Sequence, residues 1–279
     1  MSARLRAVAR ENQTIVADGG YRSPSGIWRD LSGGIAAARD ATRLYGPEPV
    51  PVPDGPRAAS TTVAVTAEST TAAVLRLAAQ EGGPVAALNF ASARNPGGGY
   101  LNGAQAQEEA VCRATALHTC LLRVPAYYAH HREHRDPLYS DRVIFSPGVP
   151  VFRDDRGTLL EHPRTAGFLT SPAPNAGVLR RADPVRAAAE VGPALARRAE
   201  RVVECAAAQG VRRLVLGAWG CGVFQNDATE VAAAFRRLLT APGARFAHTF
   251  DTVVLAVLDR SRDAATRTAF ETVFAAGRI

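Results

Sequence analysis

VAALNFASARNPGGGYLNGAQAQEEAVCR, residues 85–113, reads as a strand, a glycine-rich loop and the start of a helix. VAALNF (85–90) is a short apolar run, as expected of a buried strand. Pro96 fixes φ ahead of Gly97, Gly98 and Gly99, and glycines without Cβ atoms let backbone N–H groups close on an oxyanion. A helix is predicted over 104–124, ended by Pro125, so its positive end lies near the loop. Gln107, Glu108 and Glu109 fall in its first turn. A triple glycine can serve packing alone, and first-turn acids can serve the helix dipole alone. Together, an anion cradle and a carboxylic acid point to hydrolysis of a phosphate-bearing sugar. Adjacent helical residues lie about 100° apart, so at most one of Glu108 and Glu109 points squarely into a given cleft. Glu109 precedes Cys112 and Ala116 at helical spacing, on a face of small residues that leaves room beside it. A general acid there needs desolvation or a ligand phosphate to raise its pKa.

Outward from this unit, strands and helices alternate. Strands are predicted at 60–69, 85–90, 142–154 (two strands about a Pro-Gly turn), 166–175 (running into a proline-rich loop), 212–219 and 248–259. Helices are predicted at 71–80, 104–124, 184–209, 227–240 and 262–276. This is an α/β pattern: a mostly parallel or mixed sheet with helices on both faces. Ahead of it, 3–17 and 31–45 have helical composition. The stretch 46–56 has proline at every second position from 47 to 53, which excludes helix and central strand. Residues 1–58 are therefore expected to be an N-terminal helical extension with a proline-rich connector, and 59–279 the catalytic domain, forming one compact unit. In open α/β sheets ligands gather at the carboxyl ends of strands. NFASARNPGGG, TSPAPN (170–175) and GAWGCGVFQND (217–227) all fall there.

The chain of 279 residues is 47% hydrophobic and 21% charged, an ordinary globular balance. No apolar run approaches the roughly 20 residues that span a bilayer, and the N-terminus lacks the apolar core of a secretory signal. Four scattered cysteines without a Cys-x-x-Cys pair fit reduced thiols, with neither zinc nor disulfides, in a cytoplasmic protein. The net charge of +7 fits attraction to a polyanion, but every basic residue is arginine and the arginines are dispersed, which is also plain compositional bias. No nucleic-acid-binding signature is present.

The second loop offers Gly217, Gly220 and Gly222, then Val223, Phe224 and Gln225. Its glycines allow close approach to a diphosphate. Phe224 is either a ring that stacks on adenine or ribose, or a core residue. The loop is neither a dinucleotide fingerprint nor a P-loop. His130, His131 and His134 lack an acidic ligand set and read as a solvated polar segment. Cys221 has no evident base.

GGG, seven residues, then QEE resembles the signature of poly(ADP-ribose) glycohydrolases. The NFASARNPGGGYLNGAQAQEE, TSPAPN and GAWGCGVFQND segments are similar to the compact bacterial-type branch, over roughly 60–275. The resemblance implies a macrodomain-like three-layer α/β/α fold with a mixed central sheet. It implies hydrolysis of ribose–ribose O-glycosidic bonds of poly(ADP-ribose), releasing ADP-ribose, from chain ends. By position, Glu109 would be the catalytic acid and then the base, and Glu108 would hold a ribose hydroxyl. Gly97–Gly99 and the 217–224 loop, including Cys221 and Val223, would grip the diphosphate. Phe224 would pack on the ADP-ribose unit, Asn95 would contact the ribose at the scissile bond, and Gln107 belongs to the same binding set. Where many macrodomains use an Asp for the adenine amino group, this chain offers Glu68. No metal or cofactor is implied. Expected partners are poly(ADP-ribose), ADP-ribose and ADP-ribosylated proteins, with no specific nucleic acid and no membrane, for a monomer. The competing readings are a non-catalytic ADP-ribose reader and a generic polyanion binder.

Overall fold

The computed structural model describes residues 2–53 and 58–275. In chain order the elements are α1 (Ala3–Asp18), β1 (Gly20–Arg22), β2 (Trp28–Asp30), α2 (Ser32–Asp40), β3 (Arg43–Tyr45), β4 (Thr62–Thr66), α3 (Thr70–Ala78) and β5 (Val85–Phe90). A single 3-10 turn (Tyr100–Asn102) precedes α4 (Gln107–Ala114), α5 (Leu117–Leu121), α6 (Pro125–Glu133), β6 (Val143–Arg153) and β7 (Leu159–Ser171). The remainder is α7 (Ala176–Ala182), α8 (Pro184–Ala208), β8 (Arg213–Gly217), α9 (Ala228–Leu239), β9 (Thr252–Ala256) and α10 (Ala265–Ala275).

The main sheet has seven strands in the order β3-β6-β7-β5-β8-β9-β4. From β7 to β4 all neighbours are parallel, and β6 alone runs against the rest. Strand alternation divides the core between two faces. Val85, Ala87, Val215 and Val254 point into the layer that holds α1 to α6. Ala86, Leu88, Leu214, Leu216, Val253 and Leu255 point into the layer of α8, α9 and α10. Both faces are covered, so these strands are apolar almost throughout, as parallel strands must be. Phe235 and Phe270, both fully buried, fasten α9 and α10 to the second face, each contributing about 1.5–3 kcal/mol. The mixed sheet between helical layers is the macrodomain-like arrangement that the resemblance implies.

Several local expectations change. The helix expected over 104–124 is two helices. Thr115 is extended at φ −139° and ψ 171° and bridges to Val151 of β6, while the Ala116 N–H donates to Pro150 O. Pairing with β6 overrides helical propensity at that point. Pro125 opens α6 at its first turn, where its missing N–H costs nothing. The pair of strands expected over 142–154 is one strand with a bulge between Ser146 and Val149, at Gly148 (φ +59°). Residues 43–45, expected to be helical, form the edge strand β3 against β6. The main sheet therefore draws a strand from the segment read as an extension. The β1–β2 hairpin and α7 were not anticipated. The end of the proline connector, 54–56, and residue 276 of the last predicted helix lie outside the described residues. No helix among the described residues is long and apolar enough to cross a membrane.

Candidate active site

The carboxyl ends of β5, β8 and β9 open into one cleft of about 1770 Å³, bounded by the loops after those strands and by the N-termini of α3 and α4. Drug-sized ligands fill about 300–1,000 Å³, so there is room for a dinucleotide-sized ligand and part of a neighbouring unit.

Both glutamates of α4 line this cleft. Glu109 accepts from the Gly99 N–H at 2.8 Å and, at the third helical position, from the Ala106 N–H at 2.9 Å. The second contact is half of a capping box; Ala106 has no side-chain acceptor to complete it. Glu109 takes part in no ion pair among the described residues. Glu108 lies deeper. It accepts from Ser92 N–H at 2.7 Å and from Asn89 Nδ2 at 3.2 Å, and the Gly97 N–H also points at it. Burial pushes its carboxyl up to about 8, against the pull of those donors, and the charge of Glu109 adds to the rise. Burial therefore favours the neutral form of this carboxyl.

The expectation that the two carboxylates cannot share a cleft is corrected. A Cβ on Gly98 would stand 2.5 Å from Glu109 Oε1 and 3.1 Å from Glu108 Oε2. Long side chains bend back over the first turn, so 100° of separation at Cα converges on one glycine. The Gly97–Gly99 nest is corrected as well. Gly97 (φ +68°) and Gly98 (φ +57°) do curl the backbone, but the amides turn inward. Gly97 faces Glu108, Gly98 donates to Asn95 O at 3.0 Å, and Gly99 donates to Glu109. The loop cradles the protein's own carboxylates rather than a diphosphate. Gly97 does not line the cleft: a Cβ there would meet His118 at 2.9 Å and Cys112 at 3.3 Å.

The free amides are in the other loop. Among the described residues no acceptor meets the N–H groups of Gly220, Gly222, Val223 and Phe224, and all four residues line the cleft. Gly220 (φ +74°) allows the turn, since a Cβ would strike Ala173 at 2.4 Å and Asn226 at 2.5 Å. Nothing lies within 4 Å of a Cβ on Gly222, and Val223 is 80% exposed. N–H groups left without an acceptor beside a cleft can take up an oxyanion. Gly217 is not part of it. It sits within β8 and needs to be glycine because Ala256 O of β9 would be 2.4 Å from its Cβ. Burial pushes the Cys221 thiol up to about 12, away from the thiolate. Phe224 is half-buried, with its ring 5.8 Å from that of Tyr139.

Gln107 lines the cleft, but its amide is engaged inside. It accepts from the Phe90 N–H at 2.8 Å and donates to Leu88 O and Thr70 Oγ1 at 2.8 and 3.0 Å. It ties α4 to β5 and α3 and is better described as positioning than as contacting. Asn95 is exposed at the rim, and its side chain has no partner among the described residues. Glu68 is held by both its oxygens on Arg76, at 2.6 and 3.2 Å, and does not line the cleft. The histidine segment is not simply solvated. His131 is buried between Tyr127 O and Ser140 Oγ, and burial lowers it to about 4.

Four contributors escaped sequence reading. Asn89 and Ser92 hold Glu108; a lone Asn in the otherwise apolar VAALNF was the available signal. Tyr139 reaches the cleft on a left-handed turn (φ +60°) fixed by Arg198, which donates to Leu138 O and Pro172 O. Arg4 of α1 lines the cleft from the other side. No sequence signal pointed to these last two, because both reach the cleft through non-local packing.

A family model for the catalytic domain of microbial-type poly(ADP-ribose) glycohydrolase (PARG) matches residues 9–154. No curated protein matches. Among solved structures, PARG from Thermomonospora curvata is 46% identical over 98% of this chain and 100% of its own, with a TM-score of 0.93. The same enzyme bound to the inhibitor ADP-HPD is 46% identical over 97% of this chain and 99% of its own, with a TM-score of 0.89. PARG from Deinococcus radiodurans in complex with ADP-ribose is 43% identical over 87% of this chain and 98% of its own, with a TM-score of 0.79.

Proposed function

The chain belongs to the microbial-type poly(ADP-ribose) glycohydrolases, and we propose that it cleaves the ribose–ribose bond of poly(ADP-ribose) with Glu109 as the proton-transfer group. The carrying observation is the convergence of Glu108 and Glu109 on Gly98, within one cleft that Gly220, Gly222, Val223 and Phe224, whose amides meet no acceptor among the described residues, also line. Membership of a hydrolase family sets aside the reading as a non-catalytic reader. Binding of ADP-ribose and of the ADP-HPD inhibitor by the two relatives supports ADP-ribose as the unit recognised here.

The pyrophosphate rests on the 220–224 amides, and Phe224 with Tyr139 flanks the sugar. Protonated Glu108 holds a ribose hydroxyl. Glu109 then gives its proton to the leaving oxygen as the bond to the anomeric carbon breaks. The oxocarbenium-like charge that develops faces the Glu109 carboxylate and the pyrophosphate. Water attacks the anomeric carbon and gives its proton to Glu109, which restores the acid. Glycosidases usually set two carboxylates on opposite sides of the bond; here both come from one helix turn, so a single group does both proton transfers.

Cleavage is proposed to start at chain ends. Digestion of polymer labelled at its distal end, followed by chromatography, tests this: free ADP-ribose should appear from the first time points. Early mid-length oligomers without monomer would refute the chain-end mode, and no shortening at all would refute the activity.

A further inference from the structure

The catalytic helix is short and is held at both ends. Its N-terminus is tied down by Gln107. Its C-terminus has a defect: because Thr115 leaves the helix, the Cys112 and Arg113 carbonyls lose their usual partners. The N–H groups that would have met them go elsewhere, Ala116 to Pro150 O and Leu117 to Thr115 Oγ1. Both orphan carbonyls are met by one side chain, Asn12 of α1. Its amide nitrogen donates to Cys112 O at 3.3 Å and to Arg113 O. Asn12 is 1% exposed, and its oxygen accepts from Arg153 Nε and Nη2 at 3.1 and 2.9 Å. Every polar group of Asn12 is therefore committed, and a buried site of this kind tolerates no loose substitute.

The same helix grips the glycine loop. Tyr100 Oη donates to Ala9 O at 3.1 Å, and the Ser2 N–H donates to Gly103 O at 3.2 Å. A Cβ on Gly103 (φ +77°) would lie 2.4 Å from Ser2 O, so the approach is as close as a backbone allows. α1 thus touches α4 and the loop whose amides hold Glu109, and it touches none of the 220–224 amides that would seat the pyrophosphate.

We propose that Asn12 is a positioning residue for hydrolysis, holding α4 so that the carboxylates at its other end stay against Gly98. The proposal rests on the reading of Glu108 and Glu109 as the chemical groups. It makes the hold of Asn12 on α4 a part of cleavage, separate from the amides proposed to seat the pyrophosphate.

The test uses Asn12→Asp and, separately, Tyr100→Phe in the full chain. Asn12→Asp keeps the acceptor for Arg153 but sets an oxygen against the two carbonyls. Small misplacements of catalytic groups cost up to a hundredfold in rate, so kcat on poly(ADP-ribose) is expected to fall at least about tenfold. ADP-ribose affinity by calorimetry stays within about twofold, since the cradle is untouched. The alkaline limb of kcat/KM should also move, because Glu108 shifts with α4 relative to its donors on Asn89, Ser92 and Gly97. Tyr100→Phe, a milder change, lowers kcat about threefold with affinity unchanged. It is the deciding variant if Asn12→Asp does not fold. An unchanged kcat in a folded variant overturns the proposal. So does a parallel loss of kcat and ADP-ribose affinity, which marks a general structural role. Retained turnover in Glu109→Gln would instead sink the underlying assignment, so the two failures are distinguishable.

Discussion

Glu108 behaves differently from an ordinary surface carboxylate because it is buried, and that sets two expectations. Its folded-state value is about 8 against a reference of 4.5, so between those values the folded protein binds a proton that the unfolded chain releases. Stability is then greatest below that window and declines as pH rises through it. Urea unfolding across the window should show the decline, and Glu108→Gln should flatten it; an equal slope in the variant would contradict the assignment. The same group predicts that kcat/KM falls above pH 8, with the limb lost in Glu108→Gln. Gly98 is the second sensitive residue. Alanine there combines a left-handed φ with a contact of 2.5 Å to Glu109, so Gly98→Ala should destabilise the fold by about 1–3 kcal/mol and displace Glu109. Thermal unfolding and turnover together test this, and wild-type values in both would show that the loop adapts freely.

Among elements, the loop after β8 separates binding from chemistry. Gly220→Ala pushes its backbone off Ala173 and Asn226, and ADP-ribose affinity should weaken by at least about tenfold, or 1.4 kcal/mol. Calorimetry checks this; undiminished affinity would place the diphosphate elsewhere. Loop and strand were legible in the sequence together, because β5 and β8 are short apolar runs and each leads into a glycine-bearing loop. What each glycine does was not legible. Of three amides that look like an anion nest, those of Gly97 and Gly99 face Glu108 and Glu109 and that of Gly98 meets Asn95 O, and Gly217 is glycine because of a neighbouring strand. The break in the helix at Thr115 was equally invisible, since it is made by pairing with Val151, far away in sequence.

At the scale of the molecule, the two faces of the sheet contribute different parts of the site. The acids arrive from the layer of α1 to α6, and the phosphate cradle leans on the layer of α8 to α10. The alternation of strands and helices made that layering readable. The attachment of α1 to the catalytic loop was not, because Asn12, Ala9 and Tyr100 carry no motif and meet only in three dimensions. The net charge of +7 belongs to this scale too. A polyanionic substrate should show a KM that rises with ionic strength while kcat stays constant. Steady-state kinetics over a salt series would reveal it, and a flat KM would argue that the dispersed arginines play no part in capture.

The proposed mechanism depends on the carboxylate of Glu109, which Gly99 and Ala106 hold beside Gly98. The most direct test is turnover of poly(ADP-ribose) by Glu109→Gln, followed chromatographically, with calorimetric titration of ADP-ribose on the same preparation. Release of free ADP-ribose should be abolished while affinity for ADP-ribose is preserved. Turnover at the wild-type rate by a correctly folded Glu109→Gln protein would contradict the account.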